Sequence, residues 1–257
     1  MRIVALDAGS SSVRAVAYDE NGVAEPGDAH AAYDDLDADH LVDCCRAVLS
    51  QVGDGDLVAI SCFWHSLLPL DEHERPLTHV LTWRETLGPA EPPHLGDDYH
   101  RRTGCFAHPA YWPGKIARLR DDGIDARRYV SFAEYLLLRL AGELRMSVSA
   151  ASGTGLFDPN RLDWDGQTLE AIGLTSERLP SVGDDPVAGV VPALGDGACS
   201  SVGAGCATRG RATVMVGTSA AARVVYEGQR AEPQPGLFLY RLDRRRLLHP
   251  RWHGRRV

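Results

Sequence analysis

The opening of the chain holds the feature that most constrains its fold. An apolar run, RIVALD, ends in Asp7, the turn-like AGSSS follows, and VRAVAYD resumes a β-rich pattern. This order predicts a strand, a tight turn and a second strand. Gly9 lets the backbone turn closely, and the following N–H groups and hydroxyls can point at phosphate oxygens. No Gly-Lys-Ser/Thr follows, so the turn is not a Walker loop, and an ordinary β-turn remains an alternative.

A second turn of the same kind lies near the other end of the chain. Val216-Gly217-Thr218-Ser219-Ala220 separates two β-rich segments, and it is the one internal repeat in the sequence. Two such turns suit a duplicated, actin-like ATPase fold, in which two related domains close on a nucleotide and each offers a turn to its phosphates. Hairpins favour Gly, Ser and Thr in any case, so a pair of ordinary turns stays open at this point.

Asp196 stands between two glycines, in Leu194-Gly195-Asp196-Gly197-Ala198, after an apolar approach. Such a bracket would let a substrate approach the backbone while the acid stays fixed. An enzyme that phosphorylates a hydroxyl needs a carboxylate to orient that hydroxyl and accept its proton. Asp-Gly is also a common turn, so the residues alone leave a structural role open.

The remaining pattern predicts an α/β protein. Asp39 to Gln51 shows helical spacing before Gly53, and Asp165 is a suitable N-cap for the helix that follows it. The sequence from Leu67 to Trp83 predicts two short strands around a polar turn. Further helices are expected over 97–103, 113–121 and 132–141, and a small-residue helix after Asp196.

Composition excludes several classes of function. Of 257 residues, 44% are hydrophobic and 24% charged, as in soluble globular proteins. No apolar run approaches the length of a membrane span, and the N-terminus lacks a secretory h-region, so we expect a cytoplasmic protein without membrane contact. The net charge of −8 argues against nucleic-acid binding. Six cysteines without a Cys-x-x-Cys pair are interpreted as small buried side chains.

Five segments, taken in order, resemble the FGGY family of carbohydrate kinases. LDAGSSSVRAVAYDENG resembles the family's first phosphate motif, and GDGACSSVGAGCATRGRATVMVGTSAAARVV resembles the segment that carries its catalytic aspartate and second phosphate motif. Three segments between them look like the gluconokinase branch: SCFWHSLLPLDEHERPLTHVLTW, RRTGCFAHPAYWPGKIARLR and YVSFAEYLLLRLAGELRMSVSAASGTGLFDPNRLDWD. The resemblance runs from Arg2 to about Leu247.

This resemblance implies a ribonuclease H-like (actin-like ATPase) fold and Mg²⁺-ATP-dependent transfer of a phosphoryl group to a sugar acid or polyol, with gluconate as first choice. It implies that Asp196 is the base and that Asp7 stands near the metal. The residues expected to bind the nucleotide phosphates are Gly9, Ser10, Ser11, Ser12, Arg14, Gly217, Thr218 and Ser219. Among them, Arg14 is expected to act by supporting the first turn. The residues expected to bind the sugar are His65, Trp83, Arg84, Glu85 and Tyr111. Lys115 is a weaker candidate for the sugar site, with capping or solvating a helix as the alternative.

The sequence departs from the family pattern in three places. Trp83-Arg84-Glu85-Thr86 is closer to the Arg-Glu pair of glycerol kinases than to the gluconokinase pattern. The link over residues 180–193 is short, as if residues before Asp196 were missing. The arginine-rich stretch from Arg241 to Val257 shows no periodicity, and we interpret it as a segment outside its native context.

These departures give the expected domains and the alternative functions. Residues 1–206 are predicted to form the sugar-binding domain, and residues 207–257 the start of a truncated second domain with an aberrant tail. A chain without the rest of that domain is expected to be weakly active or inactive. The alternatives are a xylulokinase-like or glycerol kinase-like enzyme, or a remnant that binds sugar without transferring phosphate. A homodimer is left open among the expected partners.

Overall fold

The structure is a computed structural model that describes residues 1–86, 88–216 and 220–253. Its strands are β1 (Ile3–Ala8), β2 (Ser12–Tyr18), β3 (Ala29–Ala32), β4 (Leu57–Cys62), β5 (Leu68–Leu70), β6 (Arg128–Val130), β7 (Arg145–Met146), β8 (Phe157–Asp158), β9 (Asp163–Trp164), β10 (Ser181–Val182), β11 (Leu194–Gly195), β12 (Thr213–Val216), β13 (Ala220–Glu227), β14 (Tyr240–Arg241) and β15 (Arg246–His253). Its α-helices are α1 (Ala38–Val52), α2 (Tyr99–Thr103), α3 (Trp112–Asp121), α4 (Phe132–Ala141), α5 (Val148–Ser152), α6 (Gly166–Ala171) and α7 (Asp196–Gly203).

The central sheet is mixed and has five strands in the order β11-β4-β1-β2-β3. β1 pairs antiparallel with β2 and parallel with β4, and β4 pairs parallel with β11. Because β1, β4 and β11 run in one direction, their carboxyl ends meet at one edge of the sheet. The chain leaves that edge through the first glycine turn (residues 9–12), through Phe63, and through Asp196. Ligands of open α/β sheets bind outside the carboxyl ends of parallel strands, so this edge is where a site is expected.

Helix α1 covers one face of the sheet because its apolar residues recur at helical spacing. Its buried residues, which pack in one core with β1 and β2, are Ala38, Leu41, Val42, Cys45 and Val48. Asp37 caps the helix by accepting a hydrogen bond from the His40 amide at 2.9 Å. Gly53, at φ 84°, ends it. The helix predicted over 39–51 is therefore confirmed, with one more residue at each end.

The other predicted helices form with small shifts of their ends. α4 spans the predicted residues, and its first turn is a capping box of Ser131 and Glu134. α6 begins after Asp165, whose side chain accepts from the Thr168 amide, as expected. α2 begins only at Tyr99, later than predicted.

The two strands predicted between Leu67 and Trp83 are wrong in part. β5 forms over Leu68–Leu70, but the returning chain makes only isolated bridges, one of them between Leu70 and Pro76. Pro76 has no N–H to donate to a ladder, which prevents a regular second strand at this point. The prediction of two strands neglected that proline.

The arginine-rich end forms strands as far as residue 253, and the interpretation of it as a segment outside its native context stays a prediction. β15 pairs with β13 along its whole length, from Ala220 opposite His253 to Glu227 opposite Arg246. Arg241 of β14 is 2% exposed and donates to backbone carbonyls, among them that of Pro159 at 2.7 Å. Leu248 packs in the same core as Trp112 of α3. The division into domains 1–206 and 207–257 stays a prediction.

Glu134 makes the stability of this fold depend on pH. Its side chain is 1% exposed, and burial raises the pKa of its carboxyl from 4.5 to about 7. The folded chain therefore keeps a proton that the unfolded chain releases near pH 4.5, so the free energy of unfolding falls as pH rises from 4.5 to 7. We predict that Glu134→Gln removes up to about 3 kcal/mol of this decline, measured by urea unfolding at pH 5 and pH 7.5. Glu170→Gln, at an exposed position of α6, is the control and should show the same decline as the parent chain. The prediction is contradicted if the decline in Glu134→Gln is as large as that of the parent chain.

Candidate functional site

Two carboxylates, those of Asp7 and Asp196, lie at the carboxyl edge of the central sheet. Asp7 precedes the last residue of β1 and stands opposite Ser61 of β4, whose hydroxyl donates to its Oδ1 at 2.7 Å. Asp196 follows β11 directly and begins α7. Both residues are exposed, and the charge of Asp7 acts on the Asp196 carboxylate. The two acids predicted from separate parts of the sequence therefore face the same space, separated by one strand.

The surroundings of Asp196 favour proton acceptance. Although the residue is exposed, protein atoms crowd its carboxylate, and this desolvation raises its pKa. A hydrogen bond from the Gly197 amide at 2.7 Å and the charge of Arg223 oppose that shift, whereas the charge of Asp7 adds to it. A carboxylate with a raised pKa is a better general base than a free one.

The glycine bracket around Asp196 serves a different purpose from the expected one. The indole of Trp64 occupies the space where a Cβ of Gly195 would stand, and it also lies 3.1 Å from the Cβ position of Gly197 and 3.2 Å from that of Gly153. The glycines therefore accommodate the partly buried indole, not the approach of a substrate. Because Trp64 is packed against both sides of Asp196, it fixes the start of α7 relative to β4.

The first glycine turn is held by its carbonyl groups. The Gly9 amide donates to the Ser12 carbonyl at 2.9 Å, and the Tyr33 amide donates to the Ser11 carbonyl at 3.0 Å. The Tyr33 hydroxyl donates to the carbonyls of Gly9 and Ser12. Within residues 1–86, 88–216 and 220–253, the Ser10 and Ser11 amides donate to no protein acceptor. The turn thus keeps two N–H groups available for an anion beside Asp7.

The other predicted phosphate contacts divide into two groups. Arg14 stands opposite Asp7 in the β1–β2 pair, but its guanidinium forms an exposed ion pair with Asp28 at 3.0 Å. Its support of the turn stays a prediction. Gly217, Thr218 and Ser219 lie outside the described residues.

His65 occupies a strained position after β4 that suits a binding residue. Its φ is 64°, a left-handed conformation that is uncommon for a residue other than glycine. The ring donates from Nδ1 to the Gly153 carbonyl at 2.9 Å and meets the Tyr111 ring edge-on at 5.1 Å. Burial, together with the charges of Lys115 and Arg223, lowers the pKa of His65 to about 4. The imidazole is therefore neutral, with Nε2 left as a hydrogen-bond acceptor.

Lys115, the weaker candidate for the sugar site, links the parts of that predicted site, and its burial contradicts the alternative of a solvated helix residue. Its side chain is 3% exposed, and its ammonium donates to the carbonyls of His65 and Leu81. Burial lowers the pKa of Lys115 to about 7, against the raising effect of Glu85. The sequence contained no signal for this role, because the two carbonyls lie in loops far from residue 115.

Trp83, Arg84 and Glu85 follow Leu81 but differ in their exposure. Glu85 turns back on its own loop and accepts from the Thr82 amide at 2.7 Å and the Thr82 hydroxyl at 2.8 Å. Trp83 is 42% exposed, and the Arg84 guanidinium lies 5.4 Å from the centre of its ring. The charge of Glu85 acts on Lys115, so we group these two residues, whereas Trp83 and Arg84 form an exposed rim.

Two residues of the site, Tyr240 and Arg223, were missed by sequence reasoning. The hydroxyls of Tyr111 and Tyr240 are 2.6 Å apart, and the Tyr240 ring lies 5.2 Å from Trp64 and 5.8 Å from His65. Arg223 extends from β13 over Gly197. Both belong to the segment expected to lie outside the sugar domain, so spacing along the chain could not associate them with His65.

Neither a closed metal centre nor a membrane span is found in the described ranges. Among these residues no group of three or more His, Cys, Asp or Glu side chains could hold a metal ion. Asp7, with one oxygen bonded to Ser61, fits the sparse protein ligation of a hydrated Mg²⁺ better than a dedicated cage. No helix in the same ranges is both long and apolar enough to cross a bilayer.

Comparison with known proteins places this geometry in context. The family described as "FGGY family of carbohydrate kinases, N-terminal domain" matches residues 2–186. Gluconokinase of Bacillus subtilis (strain 168) is 26% identical over 212 residues, which are 72% of this chain and 41% of that protein. A ligand-bound xylulose kinase from Lactobacillus acidophilus has a TM-score of 0.85 at 23% identity, and a gluconate kinase from the same organism has 0.83 at 22%. Each superposition covers 97% of this chain and 59% of the other.

These comparisons confirm the predicted ribonuclease H-like (actin-like ATPase) fold. The chain spans between 41% and 59% of the length of these relatives. The similarity of the structures concerns the arrangement of the backbone, and relatives named for different sugars share it.

The contact of Trp64 with Gly195 generates a test of the site's packing. We predict that Gly195→Ala lowers the free energy of unfolding by about 1–3 kcal/mol, because a methyl group there collides with the indole. Gly203→Ala, in open space within α7, is the matched control and should raise the free energy of unfolding by about 0.5–1 kcal/mol. Both values come from urea unfolding followed by tryptophan fluorescence. Equal stability of the two variants contradicts the claim that Gly195 is required to make room for the Trp64 indole.

Proposed function

Because this chain belongs to the FGGY family of carbohydrate kinases, we propose that it transfers the γ-phosphoryl group of ATP to a hydroxyl of a sugar acid or polyol, with gluconate as the first candidate. The observation that carries the proposal is the position of Asp196. Its carboxylate faces the same space as Asp7 and the first glycine turn, across the carboxyl edge of three parallel strands.

Asp196 is the proposed base. Its carboxylate accepts a hydrogen bond from the substrate hydroxyl and takes that proton as the oxygen attacks the γ-phosphorus. The bond from the γ-phosphorus to the bridging oxygen breaks, and ADP leaves with that oxygen. The raised pKa of Asp196 suits this role, because proton transfer is favoured when the base is not too weak.

The first glycine turn is the proposed phosphate site. The Ser10 and Ser11 amides, which lack protein acceptors in the described ranges, can donate to phosphate oxygens, and the three serine hydroxyls add further donors. Asp7 is the residue that would hold a hydrated Mg²⁺, which neutralises phosphate charge when bound. Gly217, Thr218 and Ser219 are proposed to contact the phosphates from the second turn, with Arg14 supporting the first.

The sugar is proposed to bind against the cluster of His65, Tyr111 and Tyr240, with Glu85 and the rim of Trp83 and Arg84 next to it. Aromatic rings pack on the C–H faces of a sugar, and the neutral His65 offers an acceptor to a hydroxyl. A pentulose or glycerol is the second candidate, supported by the Arg84-Glu85 order and by the structural neighbour that is a xylulose kinase.

The role of Asp196 is tested by substitution. We predict that Asp196→Asn lowers gluconate-dependent ADP release about a hundredfold to ten-thousandfold, because the amide cannot accept the hydroxyl proton. A coupled assay of ADP release measures the rate. Asp43→Asn, which alters an exposed carboxylate on α1, is the control and should keep the rate of the parent chain. A full rate in Asp196→Asn excludes it as the base.

The same assay over a panel of sugars separates the candidate substrates. Faster turnover of xylulose or glycerol than of gluconate favours the second candidate. Absence of turnover, with a raised melting temperature in the presence of a sugar, indicates a protein that binds the sugar without transferring phosphate.

A further inference from the structure

Arg223 places a positive charge in the candidate site that the proposed reaction does not use. It lies in β13, and its side chain crosses the start of α7, so that its Nε would be 3.0 Å and its Cζ 3.2 Å from a Cβ at Gly197. Gly197 follows the proposed base directly. The guanidinium is therefore held within the site by the backbone of α7 and by the β13–β15 pair.

One nitrogen of this guanidinium, Nη1, is buried and has no hydrogen-bond partner among the described residues, although the residue as a whole is only partly buried. By contrast, the buried Arg241 has its guanidinium bonded to the carbonyls of Pro159, Arg244 and Gln229. An unpaired N–H of a charged group in the interior is costly, so Arg223 is arranged for an anion that is supplied from outside the chain.

The position of Arg223 indicates which end of the site the anion would occupy. Its Nε and the Trp64 indole lie 3.0 and 3.1 Å from the same Cβ position at Gly197, and the indole contacts the Tyr240 ring, so the guanidinium lies on the side of the base where the aromatic rings are. The first glycine turn, with its free amides, lies on the other side, beyond β4 at the end of β1. A phosphoryl group in that turn is served by the Ser10 and Ser11 amides. With the two glycine turns as the proposed phosphate contacts, the anion at Arg223 is assigned to the sugar.

We propose that Arg223 binds the carboxylate of a sugar acid and makes the site select aldonates over neutral polyols and ketoses. The planar guanidinium can offer two parallel N–H groups to one carboxylate, an arrangement that a hydroxyl cannot reproduce. A local donor of this kind is required because the chain as a whole carries a net charge of −8 and repels anions. This inference rests on the proposed function for the location of the sugar, but it concerns binding and needs no phosphoryl transfer.

The test compares two ligands that differ only at one carbon. Gluconate and glucitol share their hydroxyl groups, but gluconate ends in a carboxylate where glucitol has a hydroxymethyl group. Calorimetric titration of the 257-residue chain should give tighter binding of gluconate. In Arg223→Met we expect gluconate binding to weaken about 10- to 100-fold, the range for a hydrogen bond to a charged group, and glucitol binding to stay within about twofold. Arg223→Lys should restore part of the preference, because the charge returns without the planar fork.

The controls separate this inference from loss of fold and from the proposed reaction. Arg230→Met removes an exposed guanidinium that pairs with Glu232, and it should leave both affinities unchanged. Circular dichroism and melting temperature establish that each variant is folded. Equal affinity of the parent chain for gluconate and glucitol, no binding of gluconate, or an equal loss of both ligands in Arg223→Met overturns the proposal.

Binding of a nucleotide distinguishes whether the anion at Arg223 is a sugar carboxylate or a phosphoryl group. If Arg223→Met weakens binding of a non-hydrolysable ATP analogue and leaves the gluconate-to-glucitol ratio unchanged, Arg223 serves the phosphoryl group and the inference is wrong. If gluconate binds through Arg223 but the coupled assay shows no ADP release, the inference stands and the proposed kinase function fails. The two conclusions are therefore tested separately.

Discussion

The parallel pairing of β1, β4 and β11 is the constraint on which the site depends. Asp7 of β1 and Leu194 of β11 are both registered against Ser61 of β4, one on each side. Because the pairing register of β-strands is fixed, Asp7 in β1 and Asp196 directly after β11 cannot move apart without breaking the ladder. A slip of one residue would also exchange the buried and exposed faces of β1. The spacing of the carboxylates is thus a consequence of the core, and the chemistry follows from it.

Packing around Trp64 converts this alignment into a rigid site. Three glycines leave room for the indole, which in turn holds the beginning of α7 and lies against Tyr240. Interiors of proteins are close-packed, so a ring in contact with several elements transmits the position of one to the others. His65, the next residue, adopts its left-handed conformation within this packing, and Lys115 fixes its carbonyl. Strain at a residue of this kind is maintained only where the surroundings determine it fully.

Electrostatics divide the site into two ends. The carboxylate of Asp7 and two free amides lie at the first glycine turn, where phosphate and metal are proposed, and the neutral His65 lies at the other end, where the basic groups of Lys115 and Arg223 act on it. A substrate with a hydroxyl for Asp196 and a carboxylate for Arg223 would complement both ends. The segment that supplies Arg223 and Tyr240 also buries Leu248 in the core, so the same strands stabilise the fold and complete the site.

Local chemistry in the sequence determined the elements of this protein. The strand that carries Asp7, the cap at Asp165 and the apolar spacing of α1 each depend on neighbours within a few residues, so pattern and capping rules sufficed to predict them. Tertiary structure alone decided how Arg223, Tyr240 and Lys115 meet His65, since their contacts join loops and strands that are distant along the chain. It also gave the glycines around Asp196 their reason, because no local pattern could indicate that Trp64 occupies the space beside them. Burial and charge at such a site arise from the sum of long-range packing, which short-range spacing does not encode.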